Sequence, residues 1–229
     1  MSSITRIVIA AAGPGKRWGN HLDVPKHLIP IMGTTVLGRL VAQFREHGDV
    51  VIVGPPDDDR YRIPGATLVT PATDYTTDAN KWIVTRPWWN DEGATLYTYG
   101  DLFLDSAAVE AALQPTAITL AARWGASHFT GKPYGEVFVW SFLPEHHAAI
   151  ERALHAIDRM HRAGEICRSG SWELFARLSG LSLDIRQRPS RPPEGPVKFV
   201  DLDGWSEDFD APADWDTWRN RRLAAGVMI

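Results

Sequence analysis

The apolar run Ile7-Val8-Ile9-Ala10-Ala11-Ala12 ends on the glycine-bearing turn Gly13-Pro14-Gly15, and the cations Lys16, Arg17 and Lys26 follow closely. A branched apolar run that shortens to alanine and then to glycine reads as a buried strand feeding a turn. Small residues there let backbone N–H groups approach an anion, and the cations behind them can neutralise a polyphosphate. The expectation is a site for a nucleoside triphosphate at the end of the first strand.

Short runs rich in branched residues recur at Val50–Val53, Ala66–Thr70, Ala94–Tyr99, Ala117–Ala122, Val137–Phe142, Leu181–Ile185 and Val197–Leu202, joining Ile4–Ala12 as expected strands. Helical patterns fill the intervals. Val36, Leu37, Leu40, Val41 and Phe44 show three-and-four spacing and predict the helix that returns from the first strand to the second. Pro144 opens the longest expected helix, which lines up Ile150, Leu154 and Ile157 before Gly164 stops it. A last helix starts after Asp210-Ala211-Pro212 and offers Trp215 and Trp218 to the interior, whereas Pro189–Pro196 reads as a loop. The alternation predicts an α/β layered sheet.

With 229 residues, 44% of them hydrophobic, the chain can build one sizeable core, and one domain over residues 1–229 is expected. A net charge of −4 argues against a general nucleic-acid surface, which needs concentrated Lys and Arg. The single cysteine, Cys167, excludes an internal disulfide, and no Cys or His pair has zinc-finger spacing, so a reducing compartment is expected. The first apolar run falls far short of the about 20 residues that span a bilayer. A soluble, cytoplasmic protein without nucleic-acid or membrane partners is the expectation.

Two common phosphate loops fail at the opening turn. The P-loop pattern G-x-x-x-x-G-K-[ST] requires glycine at position 10 and a hydroxyl at 17, where the chain has Ala10 and Arg17. The dinucleotide fingerprint G-x-G-x-x-G begins correctly at Gly13 and Gly15 but meets Trp18. A third pattern fits: Ala11-Ala12-Gly13-x-Gly15-x-Arg17, then Pro25-Lys26-x-Leu28-x-Pro30-Ile31-x-Gly33. It resembles the sugar-phosphate nucleotidyltransferases, the MobA-like and cytidylyltransferase-like NTP transferases. The likeness covers about the first 55 residues and returns at Tyr99-Gly100-Asp101 and at Asp208–Trp215, while about 55 to 95 departs from the pattern.

The resemblance implies a three-layer α/β/α domain with a mostly parallel, Rossmann-like (GT-A-like) sheet, a nucleotide-binding half at about 1–115 and an acceptor-binding half at about 116–229. It implies transfer of a nucleotidyl group from an NTP to a phosphorylated small molecule such as a sugar phosphate. It assigns Arg17 to the leaving β,γ-phosphates and Lys26 to the reacting phosphates, with Ala11, Ala12, Gly13, Gly15 and Lys16 around the nucleotide. Asn80 and Lys81 are further candidates for base or phosphate contact. Gly135-Glu136 resembles the acceptor-binding turn, although a strand-edge charge reads equally well for Glu136.

In the family, the aspartate of the Gly-Asp pair binds a metal, here Asp101, and a carboxylate at a strand end suits Mg²⁺ (or Mn²⁺). The second acidic element leaves two readings open. Asp208-Phe209-Asp210, with Pro212 and Asp214, resembles the family's D-x-D-x-P-x-D element; alternatively Asp203 ends the strand Val197–Leu202 and supplies the ligand, with Asp210 capping the last helix.

Trp82, Trp88 and Trp89 read first as core, with base stacking a lesser alternative. His147, Glu151 and His155 follow at four-residue steps but lack H-E-x-x-H spacing, and read as a solvated helix face. Two rival functions follow from the residues. Asp201-Leu202-Asp203 is a D-x-D triplet of the kind glycosyltransferases use for a nucleotide sugar, and a nucleotide-binding protein without turnover would share the opening turn.

Overall fold

The computed structural model describes residues 4–13, 15–19, 21–71, 77–113, 117–184 and 189–229. Strand β1 (Ile4–Ala10) opens the chain, and a hairpin of β2 (Pro30–Ile31) and β3 (Thr34–Thr35) turns on Met32 and Gly33, both at positive φ. Helix α1 (Val36–Phe44) begins where the Thr35 hydroxyl accepts the Gly38 N–H at 3.0 Å. Then come β4 (Asp49–Val53), β5 (Ala66–Val69), α2 (Asp78–Ile83), β6 (Ala94–Tyr99), β7 (Leu102–Phe103) and α3 (Ser106–Ala112). The second half supplies β8 (Ile118–Arg123), β9 (Glu136–Phe142), α4 (His147–Arg162), α5 (Ser171–Leu178), β10 (Val197–Asp201), β11 (Glu207–Asp208) and α6 (Pro212–Ala224).

Seven strands form one sheet in the order β10-β8-β9-β6-β1-β4-β5. β9 runs antiparallel to both of its neighbours and every other pair is parallel, so the sheet is mixed and mostly parallel. Alternation along β1 explains the layers: Ile7 and Ile9 face Leu37, Leu40, Val41 and Phe44 of α1, and Val8 faces the opposite side with Ile150, Leu154 and Ile157 of α4. Fully burying each such side chain stabilises by about 1.5–3 kcal/mol. A smaller third cluster gathers Trp18, Phe103, Phe209, Trp215 and Trp218 beneath the opening turn.

Several expectations need correction. β1 ends at Ala10 rather than Ala12. Leu181–Asp184 form no strand, and Ile185 of that expected strand, like Pro14 of the glycine turn, lies outside the described residues. Pro144 starts a single 3₁₀ turn, and the α-helix proper begins at His147. His147 is not on a solvated face: it is buried against Trp89 and Phe142, ring centroids 5.2 and 5.6 Å away, while His155 is exposed. Trp82 and Trp89 are core residues, Trp82 stacking on Tyr97 at 3.7 Å, which leaves neither for a base.

Candidate active site

β1 and β6 are parallel neighbours, so their C-terminal ends open on the same edge of the sheet. The first carries the glycine turn and the second carries Asp101. Gly100 makes the junction possible: its N–H donates to the Ala10 carbonyl at 2.9 Å, and a Cβ there would sit 2.7 Å from the Ala11 Cβ. Distant aspartates are drawn in by the two-stranded ribbon of β7 and β11. There Leu102 pairs with Asp208 and Phe103 with Glu207, and the Phe209 N–H donates to the Asp101 carbonyl. Phe209 is fully buried against Trp215 and Trp218, which turns its neighbours Asp208 and Asp210 toward Asp101.

The result is a cleft of about 360 Å³. One wall is the opening turn, with Ala12, Gly13, Gly15, Lys16 and Arg17. The floor is Lys26, Asp101 and Asp210, and the far wall comes from α2 and the α4–α5 turn, with Thr77, Lys81 and Arg168 among its residues. Lys26 is no solvated loop cation. Its side chain is 11% exposed, paired with Asp101 and donating from Nζ to Asp210 Oδ1 at 2.9 Å, while the Arg17 guanidinium donates to the other oxygen of Asp210.

Burial alone would lower the proton affinity of Lys26, but Asp101, Asp208 and Asp210 together outweigh it and hold the ammonium charged. Burial likewise opposes charge on Asp101, and Lys26 reverses it, keeping this carboxyl below the usual range. Asp208 behaves oppositely: burial, then the charges of Asp101 and Asp210, push its pKa well above that of a free aspartate. His27, beside Lys26, is buried and pushed down to about 4, and its Nδ1 meets the Tyr61 hydroxyl at 2.9 Å.

Carboxylate oxygens of Asp101, Asp208 and Asp210 lie within 4.8 Å of one another, a spacing one divalent cation can bridge. Asp208 Oδ1 is buried and finds no hydrogen-bond donor among the described residues. Three hard oxygen donors with an unmatched acceptor fit Mg²⁺ or Mn²⁺. Asp203 sits elsewhere, its Oδ1 3.5 Å from the Ser127 hydroxyl, and Asp201 accepts the Trp124 N–H at 2.9 Å. Nor does Asp210 cap α6. That helix starts at Pro212 with Ala211 as its N-cap, and the Ala211 N–H is taken by Asp214 at 2.9 Å.

Four sequence candidates are placed differently from expectation. Ala11 is buried with its N–H bonded to the Val53 carbonyl at 2.8 Å, so its side chain serves the packing against Gly100 rather than the cleft. Asn80 lies off the cleft because one helical step, about 100°, turns it away from Lys81, which does line it. Gly135 is accounted for by close approach, since a Cβ there would meet the Arg123 carbonyl at 2.3 Å. Glu136 faces Lys132 at 3.6 Å and does not line the cleft; burial and the neighbouring Glu207 and Asp210, opposed by Lys132, raise its pKa to about 7.

Residues that sequence reasoning missed include His27, Thr77, Asp78 and the α4–α5 turn with Cys167, Arg168 and Ser169. Ser169 Oγ accepts the Asp78 N–H at 3.2 Å and Thr77 Oγ1 donates to Asp158 at 2.6 Å, which ties the far wall together. No sequence signal marked these contacts. Lys132 was also overlooked, although its Gly131-Lys132-Pro133 setting before a strand offered a faint cue.

A mixed, mostly parallel sheet whose first strand ends in a glycine turn, facing carboxylates held by a β-ribbon, defines a Rossmann-like nucleotidyltransferase fold. Solved structures share it. The inositol-1-phosphate CTP transferase from T. maritima superposes with a TM-score of 0.56 over 100% of both chains at 13% identity. A putative glucose-1-phosphate thymidylyltransferase from Bacillus anthracis gives 0.59 over 99% of this chain and 97% of its own, also at 13% identity. The 2-C-methyl-D-erythritol 4-phosphate cytidylyltransferase from Thermus thermophilus gives 0.56 over 98% and 100% at 16% identity. No curated protein sequence matches the chain. The model of the MobA-like NTP transferase domain matches residues 7–166, more than half of the chain, and the protein belongs to that family. It is a nucleotidyltransferase. Among the described residues no helix is long and apolar enough to cross a membrane.

Proposed function

We propose that the protein transfers a nucleotidyl group from an NTP to a phosphorylated small molecule, in our reading a sugar phosphate, with release of pyrophosphate and with Mg²⁺ as cofactor. The observation that carries this reading is the meeting of Arg17 and Lys26 with Asp101 and Asp210 in one cleft behind the glycine turn. In the reaction an anionic oxygen of the acceptor phosphate attacks the α-phosphorus, the bond to the bridging oxygen breaks, and pyrophosphate departs. The attacking oxygen carries no proton, so no general base is required.

What the reaction needs is cationic charge held in place, and the chain offers it. Arg17, beyond the glycine turn, suits two oxygens of the leaving β,γ-phosphates through its planar fork. Lys26, rigidly held on the floor, suits the oxygens of the reacting phosphates as a point charge. Asp101, Asp208 and Asp210 would hold the divalent ion, which supplies charge neutralisation at the phosphates. Gly13 and Gly15 keep the backbone at the turn approachable, Gly15 at φ +55°. The named substrates of the structural neighbours, inositol 1-phosphate and glucose 1-phosphate, support an acceptor of that phosphorylated class.

The test is pyrophosphate release from the purified protein with Mg²⁺, each of the four NTPs and a panel of sugar 1-phosphates and other small phosphate monoesters. Acceptor-dependent release with one base preferred is expected. Nucleotide binding without release under every combination would leave a binding protein, and nucleoside diphosphate set free from a nucleotide sugar would point to glycosyl transfer.

A further inference from the structure

Lys132 lies in the loop between β8 and β9, its side chain 8% exposed and outside the cleft lining. Its Nζ donates to the Asp208 carbonyl at 3.0 Å and stands 3.3 Å from Glu207, 3.6 Å from Glu136 and 3.6 Å from Asp214. It thus grips the acid-bearing segment on both sides of Asp210: at Asp208, two residues before, and at Asp214, four residues after. Glu207 and Glu136 need it as a counterion, because among the described residues only Arg123, 3.4 Å from Glu207, provides other cationic charge to that pair. Asp214, in turn, caps α6 through the Ala211 N–H.

We propose that Lys132 is a positioning residue, a buried strut that fixes the β11–α6 segment so that Asp208 and Asp210 meet Asp101 at cation-binding distance. The inference rests on the nucleotidyltransferase reading and on those three aspartates as metal ligands. Lys132 touches no reacting atom. Its ammonium fixes one backbone carbonyl, that of Asp208, and two carboxylates of the segment, those of Glu207 and Asp214, and the side chains between them follow. Without it, mutual repulsion among Glu207, Glu136 and Asp214 moves the segment away from Asp101. A displacement of about 1 Å is enough to cost around a hundredfold in turnover.

The experiment compares wild type with Lys132→Met and Lys132→Gln, the second keeping an amide that can donate to the Asp208 carbonyl. Mn²⁺ binding without nucleotide is followed by electron paramagnetic resonance, alongside kcat and the KM for NTP. Expected for Lys132→Met is a tenfold or greater loss of Mn²⁺ affinity, a fall in kcat of about a hundredfold and a KM within threefold of wild type. Lys132→Gln should lie between the two, and it carries the test if Lys132→Met does not fold: a loss of at least threefold in Mn²⁺ affinity is required. Wild-type Mn²⁺ affinity in a folded variant overturns the proposal, as does a loss confined to KM. A wild-type protein that releases no pyrophosphate with any NTP would instead sink the functional reading, so the two failures are distinct.

Discussion

Lys26→Met is the most revealing single change, because it separates a solvated loop cation from the buried counterion the structure contains. A lysine on an open loop could be removed with little effect on stability. Here the ammonium lies between Asp101 and Asp210, and the side chains of Lys26 and Asp101 are 11% and 10% exposed. Removing one member of a buried pair typically costs about 3–5 kcal/mol. Asp210 is more open and retains Arg17, so a cost at or somewhat below the lower end applies, about 2–3 kcal/mol at pH 8.

The loss should also depend on pH in a definite direction. With the ammonium gone, the Asp101 carboxyl loses the charge that keeps its pKa low, and its folded pKa rises above the unfolded value, as that of Asp208 already does. A carboxyl with a raised folded pKa destabilises while ionised, and the penalty disappears as the pH falls through that pKa. The gap between Lys26→Met and wild type should therefore shrink from pH 8 toward pH 5. Urea unfolding followed by tryptophan fluorescence at pH 8, 6.5 and 5 measures the gap, and pyrophosphate release measures turnover, expected to fall about a thousandfold. A variant within about 0.5 kcal/mol of wild type at pH 8, or a gap that does not change with pH, would refute the buried-counterion argument.

Gly100→Ala forces the ends of β1 and β6 apart, since the new Cβ would lie 2.7 Å from that of Ala11; a cost of about 1–3 kcal/mol and a tenfold or greater loss of turnover are expected from urea unfolding and pyrophosphate assays. His27 is neutral when folded, with a pKa of about 4 against about 6.5 unfolded, so its contribution is present above pH 6.5 and is lost as the pH falls toward 4, by up to about 3 kcal/mol. His27→Gln should flatten that part of the stability profile, and an unchanged acid limb would count against it. Asp208→Asn removes a buried, repelled carboxylate, so the metal-free variant should unfold about 1 kcal/mol harder than wild type while Mn²⁺ binding is lost; a less stable variant would show that Asp208 is better satisfied than its surroundings imply.

The strands of the seven-stranded sheet and the first helix were legible because their signals are local, whereas the equally local run at Leu181 forms no strand over 181–184. The branched part of the first apolar run, Ile7–Ile9, the three-and-four spacing of Val36–Phe44 and the stripe Ile150, Leu154, Ile157 each lie within one element. The pairing of Arg17 and Lys26 with Asp101 and Asp210 was anticipated only through resemblance, since nothing in spacing connects residue 17 with residue 210. The β7–β11 ribbon that makes the connection has two residues on each side, below the length at which alternation can be read. The same limit explains Asn80, where one helical step separates cleft from exterior, and Gly135, whose need for a missing side chain arises from a carbonyl twelve residues earlier. His147 misled because a histidine on a helix with many charges looks solvated until the aromatic wall of Trp89 and Phe142 is known.

The charge arrangement at the cleft suggests why its cations stay in place. Lys26 and Arg17 are both counterions to the aspartates proposed to hold the divalent ion. A lysine and an arginine left to solvent would sample many rotamers and lose entropy on meeting a triphosphate. Here Asp101 and Asp210 hold Lys26 beforehand, and it is buried enough that few alternatives exist, while Arg17, more exposed, is paired with Asp210. In the proposed reaction the exchange would be nearly balanced: the aspartates would trade ammonium and guanidinium for the divalent ion, and the two cations would trade carboxylate oxygens for phosphate oxygens. Little charge is stranded at any point. Asp208 is the carboxylate whose buried Oδ1 has no partner among the described residues, so the proposed ion would satisfy an acceptor that neither cation reaches.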